Sequence, residues 1–232
     1  VPRVRSSRSV RCSASSSKVM KVLYCTGNAG KFREASFVID GWNAERGGTE
    51  AKVEYVQVDA DPVEIQGTSE EIGARKVTEA TRLLRERGAI PDDVDWVITE
   101  DVGLSLRCLH GFPGPYCKPM LEAIGDVGLW EMMSRYDDRH ALVTCTLAAV
   151  HVRGNGDTVV EGGTPELFVG TIEGAVLGPP RGDVKHGKAS WNSVFTPDGY
   201  DKTFGELQFH EQATFSHRKR AILKFLEAKA TE

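Results

Sequence analysis

The sequence predicts an α/β domain, in which a sheet carries helices on both of its faces. Two observations predict this class. Short apolar runs of strand length alternate with longer amphipathic segments of helical period, and turn residues separate them. The chain has 232 residues, of which 40% are hydrophobic and 27% charged, so it can bury a substantial core. No apolar stretch approaches the about 20 residues that span a bilayer, and we therefore expect no membrane contact.

Strand and helix alternate twice in the first half of the chain. Each predicted helix ends before a glycine, Gly41 for the first and Gly88 for the second. The second helix also begins with the pattern of a capping box, formed by Thr68 and Glu71. In chain order the predicted elements are a strand at Val22–Cys25, a helix at Lys31–Asp40, a strand at Val53–Val58 and a helix from behind Thr68 to Arg87.

The second half contains longer apolar strands. The first of them is predicted to end directly in the acidic pair Glu100-Asp101, and a continuation beyond the pair is left open at Leu104–Leu109. Ser216 is placed to cap the last helix. The predicted elements are strands at Val94–Thr99, Ala141–Val152 and Glu166–Val176, a helix at Leu121–Tyr136 interrupted by Gly125 and Gly128, and a closing helix at Ser216–Lys229.

The N-terminal segment, residues 1–19, differs in composition from residues 20–232, which we expect to form one domain. It carries five basic and no acidic side chains and is rich in serine. We predict a cytoplasmic protein on which this segment is a disordered extension. The alternative is a transit peptide, of which this composition is typical, with import into a plastid or mitochondrion. The rest of the chain is more acidic than the total net charge of −4, which argues against nucleic-acid binding.

A glycine-rich segment joins the first strand to the first helix: Thr26, Gly27, Asn28, Ala29, Gly30 and Lys31. Backbone N–H groups at a helix N-terminus attract phosphate oxygens, and a lysine adds a positive charge. A Walker A loop would need glycine at position 25 and serine or threonine at position 32. Cys25 and Phe32 exclude it. A plain strand–turn–helix connection remains the alternative to a phosphate site.

Carboxylates at the end of an apolar strand lie where α/β folds bind ligands. Glu100 and Asp101 are predicted there, and their oxygen atoms suit Mg²⁺, which takes one or two carboxylates together with water and phosphate. A solvated turn is the alternative. Glu64 is a third carboxylate with apolar neighbours, and on its own it is typical of a surface residue.

Three further segments are candidates for binding. The segment 111–118 contains two prolines and two glycines, so it either presents Lys118 to a ligand or turns a corner. The aromatic segment 190–200 offers Trp191 for stacking on a base, with a role in the core as the alternative. Arg218 could donate to a keto oxygen, although a cation at the start of a helix is otherwise slightly unfavourable.

Taken together and in this order, these segments resemble the inosine triphosphate pyrophosphatase family. The resemblance spans roughly residues 20–225. The matching motifs are T-G-N-A-G-K, V-E-I-Q-G, E-E-I-x-x-x-K, E-D-x-G-L, G-F-P-G-P-Y-x-K, F-T-P-D-G-Y-D-x-T-F-G-E and S-H-R.

The resemblance implies a two-lobed α/β fold with a long twisted mixed sheet and an active site in the cleft. It also implies a homodimer that hydrolyses ITP, dITP and XTP to a monophosphate and pyrophosphate. Mg²⁺, with Mn²⁺ as a substitute, would be held by Glu64 and Asp101, and Asp101 with Glu100 would be catalytic. The implied substrate-binding residues are Thr26 to Lys31, Lys76, Val102, Lys118, Ser190, Trp191, Asn192, Gln212, Ser216, His217 and Arg218, the last donating to the 6-keto group.

The chain departs from the family pattern mainly where a base would bind. Ala189, Ser190 and Asn192 stand where the family usually has phenylalanine, glycine and aspartate, and Gln212 replaces a lysine. Val102 replaces a hydroxyl residue after the acidic pair. Two alternatives therefore stay open: the same chemistry on a different modified base, and a nucleotide-binding module without turnover.

Overall fold

The computed structural model describes residues 19–46, 52–153, 164–182 and 190–230, so Ala189 and all of the N-terminal segment except Val19 lie outside it. The α/β prediction is confirmed. Seven strands form one mixed sheet: β1 Val19–Cys25, β2 Lys52–Val58, β3 Trp96–Leu106, β4 Pro113–Gly114, β5 His140–His151, β6 Glu166–Val176 and β7 Phe195–Pro197. The α-helices are α1 Ala29–Glu45, α2 Ser69–Glu86, α3 Cys117–Met133, α4 Phe209–Phe215 and α5 His217–Lys229. Among these, none is both long and apolar enough to cross a membrane.

The sheet is parallel on one side and antiparallel on the other. Its order is β2-β1-β3-β5-β6-β7, with β4 attached to β3. β1 pairs in parallel with β2 and β3, because helices α1 and α2 return the chain to the same end of the sheet. All other strand pairs are antiparallel. The carboxyl ends of β1 and β2 therefore meet at one place beside the middle of β3.

The strand β3 corrects the predicted position of the acidic pair. It is one strand of 11 residues, Trp96–Leu106, so Glu100 and Asp101 lie at its centre and not at its end. On one edge it pairs with β5 along its whole length. On the other edge β1 covers Trp96–Ile98 and β4 covers Leu104–Ser105. In the described chain, residues 99–103 thus have β5 as their strand partner on one edge and an opening on the other.

The buried clusters divide the molecule into two lobes about this opening. In the first lobe one cluster packs β1 and β3 against α1 and α5, and another packs the opposite face of the same strands against α2. In the second lobe a third cluster joins the far half of β3 to α3, β5 and β7. The two-lobed prediction is confirmed, and the opening lies between the lobes.

Two predicted helix features are wrong. Gly41 does not end the first helix, because α1 continues through it to Glu45. The prediction failed because an exposed glycine costs a helix only about 1 kcal/mol, which the buried face of α1 outweighs. Helix α3 runs from Cys117 to Met133 and not from Leu121 to Tyr136, and Gly128 does not interrupt it; the predicted interruption at Gly125, whose φ is 70°, is confirmed. The capping box of Thr68 and the cap of Ser216 are confirmed.

Candidate active site

The opening beside β3 is the mouth of a cleft of about 840 Å³ between the two lobes. The residues that line the cleft come from the ends of β1 and β2, the centre of β3, helices α1, α2 and α3, and the segment before β7. They are Cys25, Thr26, Gly27, Asn28, Lys31, Asp59, Asp61, Pro62, Glu64, Lys76, Glu100, Asp101, Val102, Cys117, Lys118, Leu121, Glu122, Ser190 and Trp191.

The acidic pair is divided between the two faces of the sheet. Successive side chains of a strand point to opposite faces, so Glu100 and Asp101 cannot face the same helices. Glu100 faces α1 and α5, where it contacts Lys31 and Arg218. Asp101 faces α2, where Lys76 Nζ lies 3.5 Å from its Oδ1. One strand therefore supplies carboxylates to both walls of the cleft.

Each lysine predicted to bind phosphate is paired with one of the three predicted carboxylates. Lys31 Nζ lies 3.2 Å from Glu100 Oε1, and Lys118 Nζ lies 3.3 Å from both carboxylate oxygens of Glu64. The pair of Lys76 and Asp101 completes the set. The pairs join elements that are distant in the sequence, and they place three positive and three negative charges around one space.

Behind the cleft, Glu100 belongs to a buried network. Arg218 Nε donates to Glu100 Oε2 at 2.7 Å and its Nη2 donates to Glu100 Oε1 at 2.8 Å. The Nη1 atom of Arg218 donates to Glu34 of α1, which also accepts from the hydroxyl of Ser216. Glu100, Glu34, Arg218 and Ser216, which we call the buried network, are all buried.

Burial by itself would raise the pKa of Glu100. The guanidinium of Arg218 and the ammonium of Lys31 outweigh burial and hold that pKa well below its ordinary value. Glu100 is therefore a carboxylate at neutral pH although its side chain is only 1% exposed.

The glycine-rich segment is shaped by Asn28. This residue caps α1, because its Oδ1 accepts from the N–H groups of Gly30 and Lys31 at 2.9 and 3.1 Å. Those two N–H groups are thereby occupied by Asn28, while Thr26, Gly27, Asn28 and Lys31 line the cleft. A Cβ on Gly27 would lie 3.0 Å from Asp59 Oδ2, so the glycine lets the end of β2 approach the loop. The phosphate-binding role of the segment stays a prediction.

Aromatic side chains and a histidine occupy the far end of the cleft. Trp191 lines the cleft and makes edge contacts with Phe195 and with His217, whose ring centroid is 5.5 Å away. His217 is buried, and both of its ring nitrogens lack a hydrogen-bond partner among the described residues. Burial, followed by the charge of Arg218, lowers the pKa of His217 to about 3. The imidazole is neutral at physiological pH.

Several predicted substrate-binding residues lie outside the lining of the cleft: Ala29, Gly30, Asn192, Gln212, Ser216, His217 and Arg218. The side-chain amide of Gln212 is buried and donates to the carbonyl oxygens of Phe204 and Leu207, at 2.6 and 3.0 Å. It thus fastens the loop before α4. Asn192 lies in a short 3-10 helix, Trp191–Ser193, whose first turn is capped by Ser190.

The cleft also contains acidic residues that the sequence reasoning missed, Asp59, Asp61 and Glu122. A signal for Asp59 was present, because it directly follows β2, whose carboxyl end lies beside that of β1. The described lining holds twice as many carboxylates as lysines. A cleft with this excess of acid attracts a polyanion only together with a cation, and hard oxygen atoms of this kind suit Mg²⁺.

Comparisons with known proteins agree on one family. A model of the Ham1 family matches residues 22–228. An inosine triphosphate pyrophosphatase of Yarrowia lipolytica is 35% identical over 216 residues, which are 92% of this chain and 99% of that protein. A dITP/XTP pyrophosphatase of Methanopyrus kandleri is 34% identical over 209 residues, which are 90% of this chain and 95% of that protein.

A solved structure shows the same fold. The Ham1 protein of Staphylococcus aureus is similar with a TM-score of 0.62 at 21% identity, over 90% of this chain and 99% of that one. The family match begins within β1, extends past β7 and contains all of the residues that line the cleft. The chain therefore belongs to the Ham1 family.

Proposed function

We propose that this protein is a nucleoside triphosphate pyrophosphohydrolase that converts ITP, dITP and XTP to the monophosphate and pyrophosphate. The names of the related pyrophosphatases support this substrate class. The observation that carries the proposal is the set of three lysine–carboxylate pairs around one cleft. A triphosphate entering the cleft would bind the ammonium groups, and a metal ion would bind the carboxylates that the lysines release.

In the reaction that we propose, water attacks the α phosphorus. The bond from that phosphorus to the oxygen that bridges the α and β phosphorus atoms then breaks. Asp101 orients the water and accepts its proton. Lys31, Lys76 and Lys118 neutralise the negative charge of the leaving pyrophosphate. Nucleophilic catalysis by the thiol of Cys117 is disfavoured, because burial, assisted by the charge of Asp101, raises its pKa to about 12.

We further propose that Mg²⁺ acts as the cofactor, with Mn²⁺ as a substitute. The residues present fit this ion. Glu64 and Asp101 both line the cleft, and each carboxylate is paired with a lysine, from which it can be released to a cation. Carboxylates are the protein ligands that Mg²⁺ prefers, and it uses only one or two of them. When bound, the ion would supply Lewis-acid stabilisation of the phosphate charge.

The base would occupy the aromatic end of the cleft, beside Trp191. The neutral imidazole of His217 lies behind that tryptophan with both ring nitrogens unpaired in the described structure, so it offers one donor and one acceptor. Gln212 in place of the usual lysine brings no charge to this end. Comparing kcat/KM for nucleotides that differ only in the base would therefore identify the preferred base.

Product analysis tests the proposal. Purified protein with Mg²⁺ and ITP should release IMP and pyrophosphate, and in H₂¹⁸O the label should enter IMP. Orthophosphate as the first product, or label in pyrophosphate, would contradict attack at the α phosphorus. A preference of tenfold or more in kcat/KM for a pyrimidine triphosphate would favour the alternative of a different modified base. Binding without turnover would favour the nucleotide-binding module.

Asp101→Asn provides the sharpest single substitution. We expect kcat for ITP to fall by about 10²-fold or more, because the amide cannot accept the proton of the attacking water. Asp138→Asn serves as a matched control, since Asp138 forms an exposed ion pair with Arg107 and neither residue lines the cleft. An unchanged kcat in Asp101→Asn, measured as pyrophosphate release, would remove Asp101 from the reaction.

The homodimer implied by the resemblance also belongs to this proposal. Sedimentation velocity on the purified protein would show a species of twice the 25.4 kDa chain mass if the dimer forms. A single species of the chain mass at micromolar concentration would contradict it.

A further inference from the structure

Helix α3 consists of two parts with different surroundings. The first part contributes Lys118 and Glu122 to the lining of the cleft. The helix then breaks at Gly125, whose φ of 70° and ψ of −179° lie outside the helical region. The next residue is Asp126, whose Oδ1 accepts from the backbone N–H of Val127 at 3.0 Å. The second part of the helix therefore begins with a half-buried carboxylate, which is not part of the cleft lining.

The other carboxylate oxygen of Asp126 contacts residues 190–193, which carry Trp191 and which we call the tryptophan turn. Ser193 Oγ lies 2.7 Å from Asp126 Oδ2 and 3.0 Å from the carbonyl oxygen of Ser190. A hydroxyl has one proton to donate, and the charged oxygen is the stronger of the two acceptors. Ser193 itself is completely buried. Its hydroxyl group is therefore fixed between α3 and the start of the turn.

These contacts hold the backbone of Trp191 from both sides. The contact between the Ser193 hydroxyl and the Ser190 carbonyl encloses Trp191, which lies between the two serines and lines the cleft. In the described chain, the bond to Asp126 is the only side-chain hydrogen bond that joins the tryptophan turn to another part of the molecule. The position of the indole at the aromatic end of the cleft therefore depends on this bond.

We propose that Asp126 is a positioning residue for base binding, which holds the tryptophan turn through Ser193 and so places Trp191 beside the base. The inference rests on the proposed function, in which the base occupies the aromatic end of the cleft. Neither Asp126 nor Ser193 lines the cleft, and neither is assigned to the phosphates or to the metal ion. Breaking their hydrogen bond should therefore weaken the binding of a nucleotide without changing the binding of its phosphates.

Ser193→Ala tests this difference, because it removes the hydroxyl and little else. Calorimetry with Mg²⁺ would give the Kd of two probes. One is the α,β-methylene analogue of ITP, which cannot be cleaved at the bond that we propose to break, and the other is inorganic tripolyphosphate, which has no base. We expect the Kd of the analogue to rise by about fivefold or more, because stacking on an aromatic side chain supports base binding, and that of tripolyphosphate to stay within about twofold.

Ser134→Ala is the matched control. Ser134 follows the same helix, and its hydroxyl donates to the carbonyl oxygen of Glu131. It does not line the cleft, so its loss should change the Kd of neither probe.

A second background shows whether Ser193 acts through the indole. When Trp191→Ala is already present, adding Ser193→Ala should change the Kd of the analogue by less than about twofold, since the two substitutions remove the same interaction. Asp126→Asn approaches the bond from α3. Its amide oxygen is a weaker acceptor, so the Kd of the analogue should rise by a smaller factor, and this variant decides the question if Ser193→Ala does not fold.

Three results would overturn the inference. The first is a wild-type Kd for the analogue in a folded variant. The second is an equal rise for both probes, which would show a general loosening of the cleft. The third is a further rise of fivefold in the Trp191→Ala background, which would mean that Ser193 acts elsewhere. A wild type that binds the analogue but releases no pyrophosphate from ITP would contradict the proposed reaction and leave this inference standing.

Discussion

A substitution of Lys31 tests the binding of the phosphates separately from the recognition of the base. Its side chain is 25% exposed and its ammonium is paired with Glu100, so the ammonium can leave that carboxylate for a phosphate oxygen. We expect Lys31→Met to raise KM by about tenfold or more, because a charge-assisted hydrogen bond of about 1.5–3 kcal/mol is lost. The same factor should apply to ITP, XTP and ATP.

The control for this prediction is Lys52→Met, since Lys52 lies on the outer strand β2 and pairs with the exposed Glu54. Steady-state kinetics with the three nucleotides would decide the matter. An increase in KM for one base alone would show that Lys31 does not bind the phosphates.

At the level of the helices, replacing two glycines by alanine should change stability in opposite directions, although both positions have room for a Cβ. A Cβ would contact nothing within 4 Å at either Gly41 or Gly88. Gly41 lies inside α1, so Gly41→Ala should raise the free energy of unfolding by about 0.5–1 kcal/mol. Gly88 follows α2 with a φ of 62°, so Gly88→Ala should lower it by about 1–2 kcal/mol. Urea unfolding would measure both, and changes of the same sign would contradict the assignment of the helix ends.

The contact between α5 and the sheet depends on a third glycine. A Cβ on Gly170 of β6 would lie 2.1 Å from the carbonyl oxygen of His217 and 2.4 Å from the backbone nitrogen of Ala221. Gly170→Ala must therefore push the start of α5 away from the sheet, at a cost of about 2–3 kcal/mol in the free energy of unfolding.

Gly178→Ala is the control for that substitution, since a Cβ there has no atom within 4 Å. We expect its free energy of unfolding, from urea denaturation, to stay within about 0.5 kcal/mol of the wild type. Equal stability of the two variants would mean that α5 lies further from β6 than described.

For the whole molecule, His217 predicts how stability depends on pH. The unfolded chain binds a proton near the ordinary pKa of 6.5, whereas the folded protein resists protonation down to about 3. The unfolded state therefore holds more protons between these values, and stability falls as the pH falls. Between pH 6.5 and 5 the loss from this one residue should be about 2 kcal/mol.

The contribution of His217 to the pH dependence of stability can be measured separately from that of Glu100, because the two fall in different pH ranges. The pKa of that carboxyl is depressed in the folded state, so its contribution is lost only as the pH falls below the ordinary 4.5. Urea unfolding of the wild type and of His217→Leu at pH 6.5 and 5 would show the effect as a flatter dependence in the variant. Parallel curves would contradict a neutral, buried imidazole.

Much of this fold could be predicted from local sequence signals. The alternation of apolar runs and amphipathic segments identified the long strands β5 and β6, and the capping residues Thr68 and Ser216 identified two helix starts. The short strands β4 and β7 were missed, since two or three residues show no periodicity. The centre of β3 was mistaken for an end because buried carboxylates interrupt an apolar run in the way a turn does.

The site was less accessible to sequence reasoning than the fold. Glu34 gives no local signal, because its partner Arg218 is 184 residues away and the ion pair exists only after α1 and α5 pack together. The lysines were predicted as phosphate ligands, while their pairing with the carboxylates depends on tertiary packing: α1 and α2 bring Lys31 and Lys76 to β3, and only the pair of Lys118 and Glu64 joins the two lobes.

The opening along β3 limits the insertions and deletions that the chain can accept. Residues 99–103 separate the part of the strand that pairs with β1 from the part that pairs with β4. A strand rises about 3.3 Å per residue, so these five residues set the spacing between the lobes at about 16 Å. Deleting one of them would narrow that spacing by a fifth and reverse the side to which every later residue of β3 points. The length of this strand is therefore constrained as strictly as the identity of the carboxylates that it carries.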